Sequence, residues 1–284
     1  MQGKTVLRAF AIVAQMTQPP AISFEGVSKT HRNARMRALD DVSFSVEERQ
    51  FVAIVGPSGA GKTTLLRLIN RLTDPSAGTV RVEGEDVRAS DPIALRRSIG
   101  YVFQGIGLFP HMTVAENIAV TPKLIGWDAR RRASRVDELL DLVRLDREWH
   151  RDRFPHELSG GERQRVGVAR ALAAKPRIML MDEPFGALDP LTRDALARDY
   201  RRLHAEIGLT TVMITHDTLE AVLIADRIVV LRGGRLIADA TPRTLMSGRG
   251  DEQTSDDGGY VHDLMQAPRR QAERLNALFE GEPS

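Results

Sequence analysis

Apolar and polar positions alternate early in the chain and then merge into a continuous run. Leu39, Val42, Phe44 and Val46 fall largely on one face, as in a half-buried strand, and Phe51 to Val55 is wholly apolar, as in a strand covered on both sides. After a glycine-rich break, Leu65, Leu66, Leu68, Ile69 and Leu72 recur at helical spacing, and Asp74 to Gly78 reads as a turn. Thr79 to Glu83 alternates like an edge hairpin strand, and Ile99 to Phe103 is another strand. From Gly105 to about Ala173 the pattern becomes helical. Thr113 with Glu116, and Ser159 with Glu162, are capping-box pairs, and Val136, Leu139, Leu140 and Val143 mark an amphipathic helix whose arginines, including Arg130 to Arg132, form a solvated face.

Strands and helices then alternate again. Ile178 to Met181 is a strand, Asp189-Pro190 opens a helix, Thr211 to Ile214 is a strand, a helix starts near Thr218, and Arg232-Gly233-Gly234-Arg235 closes a hairpin. This alternation predicts an α/β fold with a largely parallel sheet. Ser247 to Gly259 reads as a linker, followed by two short helices separated by Pro268 that pack on the main domain. The expected organisation is a disordered or peripheral extension over residues 1–20, with Met16 as an alternative start. A main domain follows over 21–246, with a helical subdomain at about 105–173, and then a linker and short helices over 247–284.

Composition narrows the function. Lysine plus arginine number 40 against 38 aspartate plus glutamate, a near balance that argues against a nucleic-acid-coating surface. With no cysteine, disulfides and thiolate metal sites are excluded. No apolar run approaches the ~20 residues of a membrane helix.

The glycine-rich break carries the chemistry. Gly56-Pro57-Ser58-Gly59-Ala60-Gly61-Lys62-Thr63, followed by Thr64, is a phosphate loop in its required setting, after a strand and before a helix. Backbone N–H groups wrap the phosphates, Lys62 reaches the β- and γ-phosphates, and the Thr63 hydroxyl reaches Mg²⁺. The apolar strand ending in Asp182-Glu183 supplies the other half: Asp182 for Mg²⁺, Glu183 to polarise the attacking water. Alone, His216 after a strand and Gln104 in a loop are ordinary residues. The stretch Leu158-Ser159-Gly160-Gly161-Glu162 is a second helix start with glycines, suited to touching an anion.

Taken in order, the phosphate loop, Gln104, LSGGE, IMLMDE, Ala187-Leu188-Asp189 and His216 resemble the ATPase subunit of ATP-binding-cassette (ABC) transporters, over Ile22 to about Met246. The resemblance implies a P-loop NTPase, RecA-like core with an antiparallel β subdomain and an α-helical subdomain. It implies ATP and Mg²⁺, with Gln104 as a hinge glutamine that binds the metal and senses the γ-phosphate and the membrane partner, Asp189 in a loop at a dimer interface and His216 as a switch residue hydrogen-bonded to the γ-phosphate. It also implies a head-to-tail homodimer in which ATP lies between Lys62 of one chain and Ser159, Gly160 and Gly161 of the other, docked on the cytoplasmic face of a membrane permease. Where the family stacks adenine on an aromatic residue, this chain has His31, and Glu47-Glu48-Arg49-Gln50 lacks the usual Gly-Glu pair.

QGIGLFPHMT from Gln104 and PKLIGW from Pro122 resemble the branch importing glycine betaine, choline, carnitine and proline, which works with a solute-binding protein. Relatives there often end in paired CBS domains, and the roughly forty residues after Met246 are too few for them. Competing classes are an exporter, another importer, or a chromosome-maintenance or translation ATPase. Against the last two stand the absence of sustained heptads and the single cassette.

Overall fold

The structure, a computed structural model, describes residues 19–31, 36–247 and 255–280. The expected N-terminal extension therefore lies outside the described residues except for its last two, as does most of the expected linker.

Two sheets organise the chain. β1 (Ile22–Lys29), β2 (Leu39–Val46), β4 (Ala77–Val82) and β5 (Glu85–Asp86) form an antiparallel sheet in the order β2-β1-β4-β5. β3 (Phe51–Val55), β6 (Ile99–Val102), β7 (Ile178–Asp182), β8 (Thr210–Ile214), β9 (Arg227–Arg232) and β10 (Arg235–Ala240) form the second, in the order β10-β9-β3-β8-β7-β6. Every pair in it is parallel except β9–β10, the hairpin read at Gly233-Gly234. β3, β7 and β8 are buried at every residue, which is why they read as unbroken apolar runs.

The pleat divides these strands between two cores. Phe51, Ala53, Val55, Met179, Met181 and Met213 face one way, toward the helical region. Val52, Ile54, Leu180, Val212 and Ile214 face the other, onto Leu65, Leu66, Leu68 and Ile69 of α1 (Lys62–Ile69) and the antiparallel sheet. Each fully buried side chain of this size contributes roughly 1.5–3 kcal/mol.

α2 (Pro92–Ser98), unread in the sequence, leads into β6. Its signal was present: Asp91 caps Ala94 N at 2.8 Å and Pro92 occupies the first turn. The helical stretch comprises α3 (Val114–Leu124), α4 (Ala129–Leu142), α5 (Arg147–His150) and α6 (Gly160–Leu172). The remaining helices are α7 (Pro190–Ile207), α8 (Thr218–Ile224), α9 (Pro242–Met246) and α10 (Ser255–Glu280).

α10 corrects two expectations. Ser255 to Gly259, read as linker, are helical, and the two helices expected around Pro268 are one. Proline removes one backbone bond, and packing offsets that loss: Met265 and Val261 bury against the main core, Gln266 donates to Met246 O at 3.1 Å, and Arg270 donates to Asp263 O at 2.9 Å, one residue before the carbonyl that Pro268 leaves without its helical donor. At the turn lacking Gly-Glu, Arg49 takes the left-handed conformation itself (φ 61°), anchored by its N–H to Thr210 Oγ1 at 2.9 Å.

Candidate functional site

The candidate residues converge because four neighbouring parallel strands end at the same edge. β3 delivers the phosphate loop, β8 delivers His216, β7 delivers Asp182 and Glu183, and β6 delivers Gln104. A crevice at the carboxyl ends of such strands is the usual ligand position in an open α/β sheet.

The phosphate loop is built by close backbone approach. Gly61 begins α1 at φ 100°, and a Cβ there would stand 2.2 Å from Ala38 O; at Gly56, φ 147°, it would stand 2.1 Å from Leu231 O. No side chain caps α1, so its first N–H groups are not committed to a side-chain cap. Lys62 is almost wholly buried and bonds Gly56 O at 2.8 Å and Pro57 O at 3.0 Å. Burial pushes its pKa down, while Glu183 and Asp182 pull it back up.

Thr63 Oγ1 donates to Asp182 Oδ1 at 3.4 Å. Burial raises the Asp182 pKa, the neighbouring Glu183 charge raises it further, and the Thr63 bond opposes both. Burial also pushes the adjacent Tyr101 hydroxyl up to about 12. A hydroxyl and a buried carboxylate side by side at the mouth of the phosphate loop are hard oxygen donors, few enough to suit Mg²⁺ that keeps waters and phosphate oxygens as its other ligands. Gln104 donates from Nε2 to Glu183 Oε2 at 3.0 Å, and its side-chain carbonyl oxygen takes no part in that bond.

Glu183 is thus the meeting point. The same Oε2 lies 3.5 Å from His216 Nδ1. Its backbone sits at φ 47°, and its N–H continues the ladder to Ile214 O at 3.0 Å. That twist separates it from Asp182, which stays with Thr63. His31, exposed at the end of β1, has Nε2 3.3 Å from Thr64 Oγ1, which sets its ring beside the first turn of α1.

Ser159, Gly160 and Gly161 lie elsewhere. Ser159 is exposed and caps α6 through the predicted box: its hydroxyl accepts from Glu162 N at 3.3 Å, and its N–H donates to Glu162 Oε2 at 2.7 Å. Burial works to raise the Glu162 pKa, but bonds from Ser159 and His150 more than offset it and leave it below the usual value. The nearest groups to Gly160 and Gly161 are Leu188 and Thr192, not the phosphate loop.

An apolar groove lies beside Gln104. Phe103 and Phe109 are 47% and 40% exposed, and with Leu72, Tyr101 and Arg170 they line a groove of about 300 Å³. Leu108, half-buried, packs against the core. The Gly105-Ile106-Gly107 turn is fastened to α6: Arg170 donates to Ile106 O and Gly107 O, both at 2.7 Å.

A family model described as ABC transporter matches residues 39–186. The chain is 45% identical over 262 residues to the choline transport ATP-binding protein OpuBA of Bacillus subtilis, covering 92% of this chain and 68% of that one. It is 46% identical over 231 residues to the glycine betaine/carnitine/choline transport ATP-binding protein OpuCA of the same organism, covering 81% of this chain and 60% of that one. A dimeric ATP-binding cassette in a post-hydrolysis state, bound to ADP and Pi, superposes with a TM-score of 0.71 at 34% identity, over 78% of this chain and 99% of the other. Phosphate loop, strand order and these matches agree: the chain belongs to the ABC transporter family and has the fold of its ATPase cassette.

Proposed function

We propose that the chain binds and hydrolyses ATP as one half of a homodimer that energises import of a quaternary-ammonium or betaine-type osmoprotectant through a separate membrane permease. The observation that carries the hydrolytic part is the convergence of Gln104, His216 and Lys62 on the Glu183–Asp182 strand end. Glu183 Oε2 accepts the proton of the attacking water, His216 and Gln104 orient that carboxylate and the γ-phosphate, and Lys62 neutralises the phosphate oxygens. Thr63 and Asp182, with Gln104 nearby, would hold Mg²⁺, which would supply charge stabilisation to the phosphates. His31 stacks the adenine.

Ser159, Gly160 and Gly161 complete a partner's site, which accounts for the exposure of Ser159 and for the distance of all three from this chain's own loop. The dimeric, ADP- and Pi-bound cassette supports that arrangement. The groove at Phe103 and Phe109 receives the permease on the cytoplasmic side, and Arg170 passes its displacement to α6. The solute class rests on the names of the relatives, OpuBA for choline and OpuCA for glycine betaine, carnitine and choline.

Glu183→Gln should keep ATP binding and slow hydrolysis by roughly 10²–10⁴-fold. Gel filtration of that variant in Mg-ATP should show a dimer, and adding Ser159→Arg should return it to monomer. A monomer at saturating ATP overturns the shared site. Reconstitution with the permease and binding protein encoded beside it should give ATP-driven uptake of labelled betaine, choline, carnitine or proline, and uptake of only an unrelated solute overturns the solute class. Gln104→Ala should impair uptake more than basal hydrolysis.

A further inference from the structure

The two residues flanking His216 are held by a chain of bonds that the hydrolytic reading does not use. Thr215 Oγ1 donates to Glu220 and accepts from Asp217 N at 3.0 Å. Asp217 Oδ1 accepts from Glu220 N at 3.1 Å, capping α8, and its other oxygen accepts from Arg193 Nη1 at 3.1 Å. Arg193, in the second turn of α7, uses Nη2 on the loop that leaves Glu183: it donates to Leu188 O at 3.1 Å and Gly186 O at 3.4 Å. That loop in turn folds back on Glu183, whose carbonyl accepts from Gly186 N at 3.3 Å.

The bonds close a ring. Glu183 reaches His216 directly across 3.5 Å, and reaches it again through the loop, Arg193 and Asp217. The outer side of the ring is the start of α6, because Gly160 faces Leu188 and Gly161 faces Thr192. The planar guanidinium fork is the feature that lets one side chain bridge a carboxylate and two carbonyls at once, which a lysine ammonium cannot reproduce.

From this geometry we infer that Arg193, acting through Asp217, is a positioning residue that fixes His216 against Glu183 and ties that pair to the loop under the Ser159 helix start. The inference rests on the proposed roles of Glu183 and His216. Arg193 touches neither nucleotide nor water in it. Its loss frees the His216 turn and the 186–188 loop to move independently, which disturbs the hydrolytic geometry more than the binding of ATP.

The test uses the full chain: steady-state ATP hydrolysis, ATP affinity by calorimetry, and thermal melting, for Arg193→Ala, Arg193→Lys, Asp217→Asn and the Arg193→Ala/Asp217→Asn pair. Asparagine keeps the α8 cap while weakening the ion pair. Arg193→Ala should lower kcat by roughly 10–100-fold, the scale of a small misplacement at a reacting centre. ATP affinity should stay within about threefold, the signature of an interaction felt in the reaction and not in binding. Arg193→Lys should recover part of the loss, and the double variant should be no slower than Arg193→Ala alone, because both changes cut one path.

Losses that multiply in the double variant overturn the inference, as does a parallel fall in kcat and affinity, or a lower melting temperature with unchanged kcat per folded molecule. Should Arg193→Ala not fold, Arg193→Lys, Asp217→Asn and their pair decide by the same non-additivity. Failure of the hydrolytic reading itself is distinguishable: it appears as full activity in Glu183→Gln.

Discussion

The chain has two helix starts rich in glycine, α1 and α6, and they are finished in opposite ways. At α1, Gly61 offers no side-chain cap, the backbone is pressed against Ala38 O, and Lys62 is folded into the loop. At α6, Ser159 and Glu162 satisfy each other, and the glycines face the side chains of Leu188, Arg163 and Thr192. The first start leaves N–H groups for a ligand and is crowded, so it is a complete anion cradle within one chain. The second is self-satisfied, with Ser159 exposed, so it holds its shape with no ligand bound, as the proposed shared site requires. Similar sequence signals therefore serve two different demands: one end must be preorganised to bind, the other must persist unbound.

The contrast can be broken at five places. Lys62→Ala should cost on the order of 10²–10³-fold in ATP turnover, the scale for losing one preorganised charge-stabilising group, with the melting curve little changed; the ATP affinity of a single chain should fall in Lys62→Ala and not in Gly160→Ala. Gly61→Ala meets both a left-handed backbone and the Ala38 carbonyl, so it should lower stability by about 2 kcal/mol or more. Gly160→Ala, whose Cβ would meet Leu188 Cδ2 at 3.6 Å, should stay within about ±0.5 kcal/mol by denaturant unfolding.

His31→Ala should weaken ATP binding by about 1 kcal/mol, the lower end for stacking on an exposed ring, with His31→Tyr equal or tighter by calorimetry. Equal affinities in all three proteins would remove His31 from the site. Ser159→Ala should be mildest on one chain, about 0.5–1 kcal/mol of stability from the lost cap, with single-chain ATP affinity unchanged.

The sequence disclosed most where the chemistry is local. The phosphate loop, both capping boxes and the unbroken apolar strands are short-range patterns, and β3, β7 and β8 lie where they read. Asp182 and Glu183 were recognisable as carboxylates at a strand end. That one Glu183 oxygen serves both Gln104 and His216 was not, because it depends on the strand order, in which β6, β7 and β8 become neighbours from positions far apart in the chain. α10 was misread because Pro268 is a strong local breaker and its offset is tertiary, in Val261, Met265 and Gln266. Phe103 was counted as the end of a strand, although it stands on the surface where it lines the groove.

Glu183 carries a further consequence. A residue with a Cβ held at φ 47° sits about 1–2 kcal/mol above its relaxed backbone, and the ladder bond to Ile214 O keeps it there. Glycine at this position would relieve that strain and remove the carboxylate together. Selection for thermal resistance alone would therefore favour losing the residue proposed to activate water, so endurance and turnover are opposed at a single codon. Laboratory evolution of this chain toward heat tolerance should be screened for hydrolysis in the same round, since one available gain in ruggedness lies at the cost of its proposed work.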